Sequence, residues 1–373
     1  MTTKCRKCGA STTVVLRKKD CYCDDCFTIN TNHKFRACIG KNKVIAPYEK
    51  VLICLSGGVG STVLLDLIHY SVSLNNTKKL RIVPYFLHLI DDNGKTKAKS
   101  VQQQCQKYNF VVYFVHLREY LDDSLQLPEP NCMPQTDIEA TKQFQSTIKI
   151  MPATASNDLQ PIIKRILFIR YAKLLQCKYV FTAETTSTLA VNLLCNIANG
   201  RGSQVQNDIG FSDSRDEEIK ILRPMKDITK EELDYYVTLK KLQPVYDNSI
   251  IDKSLQSVIS SFVSDLQEDF QSTISTICKT ADKIGLYNDI KTQDKCHLCN
   301  SDVNTKSLSL TAEGATNISR NVSSITESSC DVENIINDEN EASVHSIQLC
   351  YGCNRNLSEM NPSTCEEILN HKH

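Results

Sequence analysis

Residues 51 to 61 read Val-Leu-Ile-Cys-Leu-Ser-Gly-Gly-Val-Gly-Ser, an apolar run that opens into a glycine-rich loop and then a helical pattern. No other stretch limits the fold as much. A strand that ends in such a loop and feeds a helix is suited to holding phosphate. Gly57 and Gly58 permit a tight turn and close backbone approach, while loop amides and the helix start converge on the anion with help from the helix dipole. Four Cys-x-x-Cys pairs flank it: Cys5/Cys8 and Cys23/Cys26 before the loop, Cys296/Cys299 and Cys350/Cys353 after it.

The chain carries eighteen cysteines in 373 residues. Paired spacing of this kind, with no secretory signal, points to metal binding in a reducing compartment, the cytoplasm, and not to a disulfide scaffold. No apolar run approaches the length of a membrane span, so no membrane partner is expected. Cys54 and Cys195 sit inside apolar runs, as core residues do. Net charge is zero, yet residues 1–50 hold eleven Lys/Arg against four Asp/Glu. That bias suits an RNA-binding face or, equally, a solvated lysine-rich surface.

Residues 1–40 show little apolar periodicity, so their order is expected to come from metal and not from a core. Fourteen residues separate Cys8 from Cys23, the spacing of a four-cysteine zinc site closed by a short hairpin, with Cys21 as a spare thiol. From 45 to 290, short apolar runs alternate with helical periodicity, the pattern of an α/β parallel sheet with helices on both faces. Strands are expected at Val51–Leu55, Ile82–Leu89, Phe110–Leu117, Tyr179–Ala183 and Ile219–Leu222. Helices are expected at Ser61–Leu74, Lys97–Tyr108, Ile162–Cys177, Thr188–Ala198, Lys230–Leu242 and Lys253–Lys283. The proline-rich stretch 128–157 reads as a long surface excursion.

Residues 291–373 form a third unit. Within it, nineteen of the forty-five residues 301–345 are Ser, Thr or Asn, none is aromatic, and eight acids face two bases. Such a segment buries too little apolar surface to offset the entropy of ordering and is expected to be disordered. Loop-closure entropy grows slowly with length, so Cys296, Cys299, Cys350 and Cys353 can still close a second structural zinc site around it.

Ser56-Gly57-Gly58-Val59-Gly60-Ser61 resembles the Ser-Gly-Gly-x-Asp-Ser loop of the PP-loop (adenine nucleotide alpha hydrolase-like) ATP pyrophosphatases, which adenylate a carbonyl oxygen and release pyrophosphate. Terminal cysteine knuckles, the Gly200-Arg201-Gly202 turn and Arg223-Pro224-Met225-Lys226 make the chain similar to the tRNA-thiolating branch, and within it to the second-subunit family of the wobble-uridine thiolation complex. The departures are specific. Gly60 stands where active members carry aspartate. The later Gly-His-x-x-Asp-Asp motif is replaced by Ala183-Glu184-Thr185-Thr186-Ser187-Thr188, without the histidine or the aspartates. Where catalytic thiolases place cysteines, only Cys132 is present.

The resemblance implies a non-catalytic subunit with a vestigial phosphate site at Ser56, Gly57, Gly58, Gly60 and Ser61, in which ATP binding is in question. Its partners would be an active PP-loop paralogue in a heterodimer, tRNA for Lys, Glu and Gln modified at U34, and a thiocarboxylated ubiquitin-related modifier as sulfur donor. Candidate RNA contacts are Arg17, Lys18 and Lys19 in the first knuckle, Arg165 and Arg170 on one helix, and Arg201 between its glycines. His88, Asp91 and Asp92 at a strand end read as ligand contacts or as ordinary strand-end polar residues. Two rival readings are an active sulfurtransferase with an altered ATP site and a zinc-ribbon RNA scaffold without thiolation.

Overall fold

A computed structural model describes residues 4–17, 19–91, 95–122, 124–134, 138–246, 253–270, 272–284, 295–303 and 348–369. Lys18, Asp92 and nearly all of the acidic segment 301–345 lie outside these residues.

The chain begins with the hairpin β1 (Val14–Leu16) and β2 (Asp20–Tyr22), followed by α1 (Asp24–Asn42). Then come β3 (Glu49–Cys54), α2 (Val59–Ser73), β4 (Ile82–Ile90), α3 (Lys95–Lys107), β5 (Val112–His116), α4 (Ile138–Ile150) and α5 (Ala153–Leu174). The order continues with β6 (Tyr179–Phe181), α6 (Thr186–Ala198), α7 (Val205–Ile209), β7 (Ser212–Asp213), β8 (Lys220–Leu222), α8 (Lys230–Lys240), α9 (Leu255–Asp269) and α10 (Thr273–Ile284). Two short helices, α11 (Tyr351–Ser358) and α12 (Pro362–Leu369), follow the second cysteine region.

Six strands form one sheet in the order β5-β4-β3-β6-β8-β7, all parallel except the antiparallel edge strand β7. Strand β3 is central, and Val51, Leu52 and Ile53 are fully buried because helices cover both faces. Side chains alternate across a strand. Val51, Ile53 and Leu55 therefore share one core with Phe27 and Phe35 of α1, Leu64 of α2 and Tyr236 of α8. Leu52 and Cys54 share the other with Leu159, Ile163 and Leu167 of α5.

The parallel sheet and its helices appear where the alternating pattern places them, with three differences. First, residues 1–40 do join a core, because α1 is a 19-residue helix that buries Phe27, Thr31, Phe35 and Ile39 along one face. Its apolar stripe is interrupted by Thr31 and Asn32, whose side chains bond back to the Phe27 and Thr28 carbonyls, and this blunts the periodicity. Second, the stretch read as a surface excursion contains α4 and the start of α5. Third, residues 253–283 form two helices and not one, because the chain breaks at Phe270, which caps α9 in a non-helical conformation. Among the described residues, no helix is long and apolar enough to cross a membrane.

Candidate functional site

Three features stand out: the glycine loop, which follows the carboxyl end of β3, and two four-cysteine groups. In each group the ligand sulfurs lie within 4.8 Å of one another. The Sγ atoms of Cys8 and Cys23 are 3.6 Å apart, and those of Cys299 and Cys350 are 3.7 Å apart. Four thiolates at about 2.3 Å from one tetrahedral ion lie about 3.8 Å from each other, so both sets fit a single ion of the zinc type with no open position.

Both sites are built from the same parts. Cys5 N–H donates to the Ala10 carbonyl and Gly9 N–H to the Cys5 carbonyl; Cys296 N–H donates to Ser301 and Asn300 N–H to Cys296. Gly9 and Asn300 occupy the same left-handed position, with φ of 77° and 54°. Each second pair opens a helix: Cys23 caps α1 and Cys350 caps α11. Within each group the thiols differ in basicity: burial pushes Cys26 up to about 12, and hydrogen bonds with Cys296 and Cys299 raise Cys350 and Cys353. In the first group, the Cys8 backbone N–H draws the Cys5 thiol down to about 6. In the second, hydrogen bonds from Cys296, Cys350 and Cys353 hold Cys299 well below its ordinary value. Outside the two groups, burial pushes the thiols of Cys38, Cys105 and Cys177 up to about 12, as in structural cysteines. Cys54 and Cys195, read as core residues, are buried. Cys132 is exposed and belongs to neither group.

The sites pack against opposite faces of the sheet. Val14 and Leu16 of the first belong to the core of α1 and α2, whereas Cys296, Leu298, Cys299 and Cys353 belong to that of α5. The second site is locked in by a buried polar network. Asp158 on α5 pairs with Arg201 at 2.6 Å, accepts from Asn199 and is bonded by Asn356 of α11. Arg201 Nη2 also lies 3.7 Å from Cys353 Sγ. Close approach requires glycine on both sides. A Cβ at Gly200 would come within 2.4 Å of the Tyr351 ring, and one at Gly352 within 2.7 Å of the Arg201 side chain.

This corrects the expectation that Arg165, Arg170 and Arg201 face RNA. Their guanidiniums are occupied inside the fold. Arg165 pairs with Asp213 at 2.8 Å, and Arg170 donates to the Tyr120 and Asp122 carbonyls. Burial alone would raise the Asp213 carboxyl, but Arg215 and Arg165 overcome this and hold it far below its usual value. Arg17 and Lys19, at the β1–β2 turn, are exposed. Sequence reasoning missed Asp158 and Asn356, because their partners lie tens to hundreds of residues away and no local pattern marks them.

The glycine loop lines a cavity of about 720 Å³ together with His88, Asp91, Lys97, Lys164, Glu184 and Asp234. Gly57 adopts φ 82°, which only glycine tolerates without strain. Ser61 Oγ donates to the Gly58 carbonyl at 3.0 Å and lies 3.2 Å from Ser56 Oγ, closing the loop onto the start of α2. Gly60 faces β6: a Cβ there would come within 2.9 Å of the Ala183 carbonyl oxygen. Glu184, in the segment that replaces the acidic motif, is bound by Arg223 at 2.8 Å and by Thr182 at 2.7 Å. A second cavity of about 410 Å³ shares Lys164, Phe168, Thr182 and Glu184 and extends to Cys299.

Residues 254–355 match the family model described as cytoplasmic tRNA 2-thiolation protein 2, and residues 28–127 match that of the PP-loop domain. Curated relatives carrying the name cytoplasmic tRNA 2-thiolation protein 2 include one from Danio rerio, 30% identical over 86% of this chain and 76% of its own. One from Drosophila ananassae is 32% identical over 80% and 77%, respectively. One from Aedes aegypti is 33% identical over 75% of this chain, which spans 65% of that protein. Among solved structures, the U34-tRNA thiolase NcsA from Methanococcus maripaludis with its [4Fe-4S] cluster aligns with TM-score 0.60. It is 19% identical over 82% of this chain and 94% of its own, and thus shares the fold.

Proposed function

Given that the chain belongs to the cytoplasmic tRNA 2-thiolation protein 2 family, we propose that it acts in the cytoplasm as the non-catalytic subunit of a complex that installs 2-thiouridine at U34 of the tRNAs for Lys, Glu and Gln. An active PP-loop paralogue adenylates the uracil carbonyl, and a thiocarboxylated ubiquitin-related modifier supplies sulfur. This chain contributes a heterodimer face, two structural zinc sites and tRNA contacts from Arg17, Lys18 and Lys19. The rigid knuckle beneath that turn suits contacts to backbone phosphates.

The observation that carries the reading is the fit of Gly60 against Ala183. The carboxylate that active relatives are expected to use for magnesium is missing, and the space for its Cβ is taken by backbone. The nearest acid of the replaced motif, Glu184, is engaged by Arg223. Little therefore remains to hold a divalent ion against leaving pyrophosphate. The related fold of a thiolase with a [4Fe-4S] cluster raises the question of iron here. Sulfur separations of 3.6 and 3.7 Å favour one ion per site over a cluster, which spreads its ligands further apart.

Two measurements test the reading. Depletion of the chain should remove 2-thiouridine from bulk tRNA, and persistence of the modification would leave only the scaffold reading. The purified chain, with or without tRNA, should not hydrolyse ATP. Gly60→Asp should not create turnover either, and should cost about 1–3 kcal/mol of stability by displacing Ala183. Turnover in the wild-type chain would establish the active-sulfurtransferase reading instead.

A further inference from the structure

The edge of the sheet opposite the glycine loop is strongly basic. Strands β3 and β4 run parallel with Glu49 level with Ile82, so their starts share that edge. Residues 41–50 and 74–83, which lead into these strands, carry Lys41, Lys43, Lys50, Lys78, Lys79 and Arg81 against a single acid, Glu49, in a chain of zero net charge. That acid lies 3.6 Å from Lys178, at the start of β6. The segments are tied together: Tyr48 N–H donates to the Arg81 carbonyl at 2.7 Å, and the Tyr179 hydroxyl donates to the Val44 carbonyl at 2.8 Å. Lys41, Lys43, Lys78, Lys79 and Arg81 are exposed, and none pairs with an acid among the described residues. The start of β8 differs. There Asp216 and Glu218 take Lys173 at 3.2 and 3.7 Å, so the excess of positive charge belongs to the β3–β4 half.

Tyr48 stands between Lys43 and Lys50 in the chain and beside Arg81 across the strands. It is 70% exposed and has φ of 65°, a left-handed conformation that strains a bulky residue and that asparagine or glycine adopts readily. Its ring and hydroxyl have no hydrogen-bond or ring partner among the described residues. Neither packing nor backbone geometry therefore accounts for an aromatic side chain here, and strain held without structural return marks functional positions. Cations without carboxylate partners attract a polyanion, and phosphate backbones take such contacts in a salt-dependent way. The exposed ring narrows the class further. Every nucleobase offers a π-face for stacking, whereas a run of carboxylates has no use for one. In RNA those faces are available at unpaired bases and not inside a stacked duplex.

We infer that this amino-terminal edge of the sheet is an RNA-binding surface. Lys78, Lys79 and Arg81 contact backbone phosphates, and Tyr48 stacks on an adjacent unpaired base. Helix α1 has 19 residues and is about 28 Å long at about 1.5 Å per residue. It separates this surface from the first knuckle, so these contacts are additional to those of Arg17, Lys18 and Lys19. The inference rests on the function proposed above only in taking RNA as the partner.

Titration of the full-length, zinc-loaded chain with two fluorescent RNAs tests it: a hairpin with an unpaired loop, and the blunt duplex of its stem. The combined change Lys78→Ala, Lys79→Ala and Arg81→Ala should weaken hairpin binding at least about tenfold. It should also lower the slope of log affinity against log salt by about 2. Tyr48→Asn should weaken the hairpin about tenfold and leave the duplex unchanged. The thermal transition of that variant should hold or rise, because asparagine relieves the strain. Polyglutamate, the probe for an acidic protein partner, should not displace the hairpin. Wild-type affinity in the triple variant, equal losses of hairpin and duplex on Tyr48→Asn, or displacement by polyglutamate would each overturn the inference. Full hairpin affinity in the triple variant, with loss of binding on combined Arg17→Ala and Lys19→Ala, would sink this surface and leave the knuckle contacts standing. Persistence of 2-thiouridine after depletion of the chain would sink the proposed function and leave the binding results intact.

Discussion

The two cysteine sites share a local design and differ in what surrounds them. Each has a Cys-x-x-Cys turn closed by the same two backbone hydrogen bonds, and each has a second pair at a helix start. At the first site Cys8 is exposed and Cys23 and Cys26 are half-buried; at the second Cys296, Cys299 and Cys353 are buried. The first is anchored through α1, by Phe27 packed edge-on against Tyr235 at 4.9 Å and Lys34 paired with Glu232 at 2.6 Å. The second is fastened by a buried ion pair and two interlocked glycines. How tightly a metal knuckle is bound into the core thus depends on what its non-ligand residues touch.

The comparison breaks most readily at the cysteines themselves. Cys353→Ser should remove the second metal and cost more than about 5 kcal/mol, abolishing cooperative unfolding, because Arg201 and Asp158 lose their setting. Cys8→Ser should remove the other metal and leave the sheet's thermal transition almost unchanged, since α1 keeps its own packing. Metal analysis with thermal unfolding checks both, and equal destabilisation by the two changes would erase the distinction. Next in size, Asp158→Ala should cost about 3–5 kcal/mol by stranding the buried Arg201, measured by chemical denaturation.

Gly352→Ala should cost about 1–3 kcal/mol, since its methyl meets Arg201 at 2.7 Å and the Asn199 carbonyl at 3.0 Å. Limited proteolysis should then cut near α11 before it cuts the sheet. The smallest effect belongs to the first site. Lys34→Ala should cost no more than about 1 kcal/mol, because Lys34 is partly solvated and Glu232 retains its capping bonds with Thr229. A loss of several kcal/mol in the same denaturation assay would make the two anchors equivalent.

The sequence by itself determined whatever depends on near neighbours. Short apolar runs marked the strands, the glycine loop announced its turn, and Cys-x-x-Cys spacing assigned eight thiols to two groups even across fifty intervening residues. Its failures were of the opposite kind. Helix α1 escaped notice because two of its buried positions are polar. Arg165, Arg170 and Arg201 looked like RNA contacts because a guanidinium's partner cannot be read from its own segment; only the packed fold brought Asp213, the Tyr120 carbonyl and Asp158 to them. The same holds for Gly60, whose missing carboxylate was legible while the Ala183 backbone occupying its place was not. Local pattern reports the solvation and geometry available to a residue within a few positions of itself. Which buried charge is paired, and with what, is decided only when distant segments exclude water together.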